Sequence, residues 1–279
     1  MPHRIRITTA AMILAGLLTA AGHAQDAPKA DAPAKAEPKI VTETVTYEND
    51  GVKLEGFLAY DANAKGKRPG VLVCHEWWGN TEYSRGRAKQ LAELGYVAFA
   101  LDMYGQGKTS MEVPKAQEWS RALYTAPGLM GSRAAAGLKI LTDRPEVDPT
   151  RVAAIGYCMG GTVALELART GADVKAIVCF HTSGLAAAKP EDNRKIKGRI
   201  LIAHGAADTL VEPEVITSFK TQMADAGVTY EFIEYPDAKH SFTNPQSDAV
   251  GMEAVGYNKA ADEKSWEDMK KLFAATIEK

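Results

Sequence analysis

Cys158 stands in Gly156-Tyr157-Cys158-Met159-Gly160, a cysteine form of the G-x-S-x-G turn that presents a nucleophile between a strand and a helix. Ahead of it, Val152 to Ile155 is a short apolar run of the buried-strand type. From Thr162 onward Ala, Leu and Glu recur at helical spacing. The two glycines suit a turn so tight that a Cβ would strike the neighbouring strand or helix. Such a turn lifts the sulfur above the sheet edge and near a helix start, where partial positive charge favours a thiolate. A bare five-residue motif also fits an ordinary turn around a buried, inert cysteine. The strand before it and the helix after it favour the nucleophile.

A thiol needs a base, and a base needs an orienting acid. His240, in Asp237-Ala-Lys-His240-Ser-Phe, lies just past the last expected strand, where an imidazole can take the thiol proton and return it to a leaving group. Asp208, in His204-Gly-Ala-Ala-Asp208, follows another strand and would hold the imidazole tautomer. Asp237 is the weaker acid, because a residue three before His240 reaches its far nitrogen poorly. The order nucleophile, acid, histidine is that of an α/β-hydrolase. His75, His181 and His204 also follow strands, near Glu76 and Asp208 in the same sense. None has the His-Glu-x-x-His spacing of a helix-borne metal pair, so no metal and no cofactor are expected.

The elements that must position these residues alternate. Thr42–Glu48 and Val52–Tyr60 read as a hairpin turned at Asn49-Asp50-Gly51. Strands are expected at Gly70–Cys74, Tyr96–Leu101, Val174–Phe180, Ile200–His204 and Thr229–Tyr235. Helices are expected at Tyr83–Leu94, Pro114–Ala126, Gly131–Leu141 and Glu214–Ala226, and over most of Val250–Ile277. A hairpin followed by strand–helix units predicts an α/β fold: a mostly parallel central sheet with an N-terminal antiparallel hairpin and helices on both faces. Ligands in such sheets bind at the carboxyl ends of the strands, where Glu76, Cys158, Asp208 and His240 all fall.

The N-terminus reads differently. His3, Arg4 and Arg6 give a basic start, Ala10–Ala21 an apolar core, and Gly22-His23-Ala24 small residues for cleavage, so residues 1–24 are expected to be a secretory signal. The core is too short for a confident bilayer span, and no lipid-anchor cysteine follows it. Residues 25–39, rich in Ala, Pro and Lys, read as a disordered leader, and 40–279 as a single domain. A periplasmic or secreted monomer with no stable membrane anchor is the expectation. The net charge of −2 and the lack of a basic stripe suggest no nucleic-acid or polyanion partner, and none is expected. The three cysteines, Cys74, Cys158 and Cys179, are odd in number and form no C-x-x-C pair, so at least one thiol is free.

Together these residues resemble the dienelactone hydrolase family, from about Val41 to the C-terminus. The resemblance rests on His75-Glu76-Trp77-Trp78-Gly79, Asp102-Met103-Tyr104, Gly156 to Gly161, the Gly205–Asp208 turn and His240-Ser241-Phe242. It implies an α/β-hydrolase fold and a Cys158–His240–Asp208 triad that cleaves an ester or lactone through a thioester. It also implies a thiol-modulating carboxylate at Glu76 and an oxyanion hole from the backbone N–H groups of Trp77 and Met159. A carboxylate beside a thiol disfavours thiolate while an imidazolium favours it, and the sequence leaves both open. Tyr104 and two further positions would contact substrate. The family clamps an anion with two arginines, one just after the Asp-Leu-Tyr-type segment and one four residues past the histidine. Those positions here are Gln106 and Asn244, so a neutral or differently anchored ester is expected unless Arg85, Arg121, Arg133 or Lys108 folds in. Two other functions compete: a non-catalytic small-molecule-binding protein on the same fold, and a thiol-redox protein pairing Cys158 with Cys74 or Cys179.

Overall fold

The computed structural model describes residues 37–185 and 188–279. The expected signal and nearly all of the expected leader lie outside the described residues. In chain order the domain runs β1 (Ile40–Asn49), β2 (Val52–Asp61), β3 (Arg68–Cys74), α1 (Glu82–Glu93), β4 (Val97–Ala100), α2 (Val113–Thr125) and α3 (Leu129–Thr142). It continues with β5 (Val147–Tyr157), α4 (Met159–Arg169), β6 (Ala176–Phe180), α5 (Pro190–Asn193), β7 (Arg199–Gly205), α6 (Pro213–Asp225), β8 (Tyr230–Tyr235) and α7 (Lys259–Thr276). The bonded backbone begins before Ile40: the Lys39 amide donates to Asp61 Oδ1 (2.8 Å) and the Lys39 carbonyl accepts from Ala62 (2.9 Å).

One eight-stranded sheet has the order β1-β2-β4-β3-β5-β6-β7-β8. The first two strands pair antiparallel, as does β2 with β4, and every pairing from β4 through β8 is parallel. Period-two alternation divides each central strand between two cores. Leu72, Cys74, Val152, Ala154, Ile177 and Cys179 pack on one face with Leu123, Ala134, Val163 and Phe219 of α2, α3, α4 and α6. Val71, Val73, Ala153, Ile155, Val178 and Phe180 pack on the other with Leu91 of α1 and Met269 and Phe273 of α7. Strands buried on both faces are near-continuously apolar, which is why these segments were legible as a parallel sheet.

Two expectations are corrected. The elbow strand is longer than Val152–Ile155, and its helix begins at Met159 instead of Thr162, because both glycines after Met159 are helical. The stretch from Val250 is not mostly helical until Lys259. Ser247–Val250 is one 3-10 turn, and residues 251–258 form a turn closed by Val255 N–H on Met252 O (3.0 Å) and then irregular backbone beside the histidine loop. There His240 N–H donates to Ala254 O (3.1 Å), Gly256 N–H to His240 O (3.0 Å) and Asn258 N–H to Phe242 O (3.0 Å). Asn258 then caps α7, its side chain accepting from the Ala261 amide.

Candidate active site

The turn after β5 is as tight as its glycines require. A Cβ on Gly156 would lie 1.9 Å from the Gly160 carbonyl oxygen, and one on Gly160 would lie 2.1 Å from the Cys74 carbonyl oxygen. Backbone atoms cannot yield to such overlaps, so both positions admit only glycine. Between them Cys158 takes φ 53° and ψ −118°, a conformation that L residues adopt only when their surroundings force it. The strain aims the sulfur away from the sheet and places the Met159 amide at the first position of α4, where no intrahelical acceptor exists.

Three loops converge on that sulfur. His240 Nε2 lies 3.1 Å from Cys158 Sγ, and His240 Nδ1 lies 2.8 Å from Asp208 Oδ2. Asp208 uses its other oxygen to accept from the Leu210 amide (2.9 Å), which fixes the carboxylate plane. All three side chains are buried, with Cys158 at 9% exposure. For His240, burial opposes the positive charge but is outweighed, first by the electrostatic attraction of the neighbouring Cys158 sulfur and then by the Asp208 hydrogen bond. The imidazole is pushed up to about 10.

Glu76 is brought to the same corner but faces the histidine loop. Its Oε2 accepts from Asn244 Nδ2 (2.8 Å) and its Oε1 from Ser241 Oγ (3.2 Å). Burial raises the carboxyl above its ordinary value, against the Asn244 bond, the charge of His240 and the Ser241 bond. The residue four past the histidine therefore serves Glu76. A raised carboxyl binds its proton more tightly in the folded chain than in the unfolded one. The burial penalty is thus absent below the unfolded value and grows as pH rises through the folded value. Glu76→Gln is expected to raise Tm by ~3 °C or more at pH 8 and by little at pH 4. Melting curves at the two pH values check this; a gain larger at pH 4 would contradict it.

Tyr104 and Gln106 part company. The Tyr104 hydroxyl donates to the Trp77 carbonyl (2.8 Å), so it braces the loop carrying Trp77 and does not itself line the cavity over Cys158. Gln106 corrects the expectation of a substrate contact. Its φ is 54° and its amide donates to Lys53 O (2.9 Å), which turns it outward against β2 into a separate exposed depression with Lys108. Asp102 makes that turn, accepting from the amides of Glu55, Tyr104, Gly105 and Gly107. Among the described residues neither the Trp77 nor the Met159 amide is committed to an acceptor.

Over Cys158 lies a cavity of about 160 Å³, walled by Trp77, Trp78, Leu210, Val250, Met252 and Val255, with Ser183, Ser241, Asn244 and Ser247 as its polar points. Among the described residues His240 is its only ionisable group besides the thiol. None of the four candidate cations reaches it. Arg85 pairs with Glu82 (3.6 Å), Arg133 bonds the Met103 carbonyl, Lys108 lies in the outer depression and Arg121 is exposed on α2. The three cysteines are all free. Cys74 and Cys179 pair with Gly156 from opposite sides of β5. Two strand spacings, roughly 9.6 Å, separate them, beyond disulfide reach. No group of three or more potential metal ligands occurs among the described residues.

The sequence pattern of the dienelactone hydrolase family matches residues 54–277, a span that contains every residue of this site. The chain belongs to that family. A putative carboxymethylenebutenolidase from Synechocystis is 27% identical over 250 residues, covering 85% of this chain and 98% of the relative. A solved structure named m3DLH is 39% identical with a TM-score of 0.83, covering 85% of this chain and 99% of the other. A dienelactone hydrolase-like promiscuous phosphotriesterase from metagenomic libraries is 35% identical with a TM-score of 0.82, covering 85% and 98%. This member of the dienelactone hydrolase family is a hydrolase of ester or lactone bonds, on the α/β-hydrolase fold. Reasoning from spacing missed His181, Ser241 and Thr243. The first was one of several strand-end histidines, Ser241 stood in the His240-Ser241-Phe242 segment without a role of its own, and Thr243 carries no motif.

Proposed function

We propose that this dienelactone hydrolase relative cleaves a neutral ester or lactone through a thioester on Cys158. His240 takes the thiol proton, and Asp208 holds the imidazole so that Nε2 faces the sulfur. The thiolate attacks the carbonyl carbon, and the Trp77 and Met159 amides receive the developing oxyanion. The tetrahedral adduct collapses as His240 protonates the departing alkoxide, leaving the acyl group on sulfur. Water, deprotonated by the same imidazole, then releases the acid and restores the thiol. The observation that carries this reading is the unbroken chain of contacts from Sγ to Nε2 (3.1 Å) and from Nδ1 to Oδ2 (2.8 Å), set beneath the cavity. A binding protein has no need of so strained a cysteine, and against a redox pair stands the free state of all three thiols.

The lining favours an uncharged substrate. An anion would enter a small, mostly apolar space with no arginine or lysine to meet it, at a cost of several kcal/mol. The test is a panel of neutral and anionic esters and lactones, with a neutral phosphotriester added because a relative is named for that activity, run on wild type and Cys158→Ala. Export belongs to the same proposal: the basic start, apolar core and small residues before Gln25 support removal of residues 1–24, leaving a periplasmic or secreted enzyme. The chain purified from its host is then expected to have the mass of residues 25–279, and an intact Met1 would overturn this.

A further inference from the structure

Cys158 and His240 come from segments 82 residues apart in sequence, yet their 3.1 Å contact must be reproduced in every folded molecule. His181, at the end of β6, touches both sides of that contact. Its Nδ1 lies 3.2 Å from the Cys158 amide nitrogen, which also donates to the Phe180 carbonyl (3.0 Å). Its ring stands edge-on to the His240 ring, with centroids 5.4 Å apart. Its Nε2 lies 2.7 Å from Thr243 Oγ1, on the loop that carries His240. An amide can only donate, so Nδ1 accepts, Nε2 carries the proton, and Thr243 Oγ1 receives it. The Thr243 hydroxyl lies 2.5 Å from the Tyr83 hydroxyl, and the Thr243 carbonyl accepts from Arg87 (2.7 Å), which ties the loop to α1.

Both His181 and Thr243 are fully buried, so neither bond competes with water. His181 has φ 38°, a conformation costly for a non-glycine residue and maintained here because its ring is fixed at both nitrogens. Burial, and then the charge of His240, hold the ring well below the ordinary imidazole value, which keeps the single tautomer that can bridge.

We infer that His181 is a positioning residue, a neutral two-ended strut that sets the distance between the nucleophile turn and the histidine loop through Cys158 N–H···Nδ1 and Nε2–H···Thr243 Oγ1. It touches neither substrate nor the reacting atoms. It acts on the rate of proton transfer between Cys158 and His240, and it rests on the reading of those two residues as nucleophile and base.

The two partners of the strut allow a test that separates it from simple packing. Thr243→Val keeps the shape and removes the hydroxyl. Thr243→Ser keeps the hydroxyl and removes a methyl. His181→Asn can keep the bond to the Cys158 amide through its carbonyl oxygen, but is too short for Thr243. A misplacement of reacting groups by a fraction of an ångström predicts kcat lower by about 30-fold for Thr243→Val and for His181→Asn, with KM within about twofold. Thr243→Ser is expected to stay within about threefold of wild type. The double variant His181→Asn/Thr243→Val is expected to be no worse than either single, because both break one connection. Near-wild-type kcat in Thr243→Val, or equal losses in the Ser and Val variants, would overturn the strut, as would multiplying losses in the double. Cys158→Ala, assayed alongside, distinguishes the failures: if it turns over, the nucleophile reading and the strut both fall. If it is dead while Thr243→Val is fully active, only the strut falls.

Discussion

Cys158→Ala is expected to lower kcat for ester hydrolysis by at least about 10⁴-fold, because removal of a nucleophile that acts as a unit with its base leaves only binding and oxyanion stabilisation. The fold is expected to survive. The substitution deletes one sulfur at a turn whose geometry is fixed by Gly156 and Gly160, and by the Cys158 amide on Phe180 and His181. Cys158→Ser separates chemistry from geometry. A hydroxyl fits the same turn and keeps a hydrogen bond to His240, but it is far less acidic than a thiol and asks more of the base. It is expected to be weak but measurable. Ordinary turnover by the Ala variant, in protein with unchanged circular dichroism, would remove Cys158 from the mechanism.

The second large effect concerns charge. kcat/KM for a neutral lactone or ester of similar size is expected to exceed that for dienelactone. The position four past His240 is Asn244, already engaged by Glu76, and Gln106 points out of the site. An anionic carboxylate would therefore meet Trp77, Trp78, Leu210 and Met252 without an arginine or lysine. Were dienelactone faster by a hundredfold, about 2.7 kcal/mol of transition-state preference, an arginine or lysine would have to reach the cavity and this account of its walls would fail.

The contrast between Asn244 and Gln106 marks how far the sequence reached. Both positions were found by counting from a motif. Counting suffices for Asn244 because it follows His240 within one turn-rich loop whose direction is set by the sheet edge. It fails for Gln106, because the direction of Gly105-Gln106-Gly107 depends on four backbone amides closing on Asp102 and on a bond to β2, which spacing does not encode. The parallel sheet and the convergence of Glu76, Cys158, Asp208 and His240 were legible because apolar strands and the residues just after them are local signals. Residues 251–258 were not, since Met252, Val255 and Tyr257 give a helix-like sprinkling of apolar groups. Their true role, pairing with the histidine loop and walling the cavity, is tertiary. His181 was hidden for a related reason: its importance comes from what its two nitrogens touch.

The most direct test of the thioester account is to quench the enzyme in acid during turnover of a p-nitrophenyl ester and weigh the protein and its peptides. The account predicts a fraction of the chain heavier by one acyl group, with the added mass on the peptide containing Cys158, labile to hydroxylamine, and absent from Cys158→Ala. Acyl mass carried on any other residue, or full turnover with persistent acylation of the Ala variant, would contradict it.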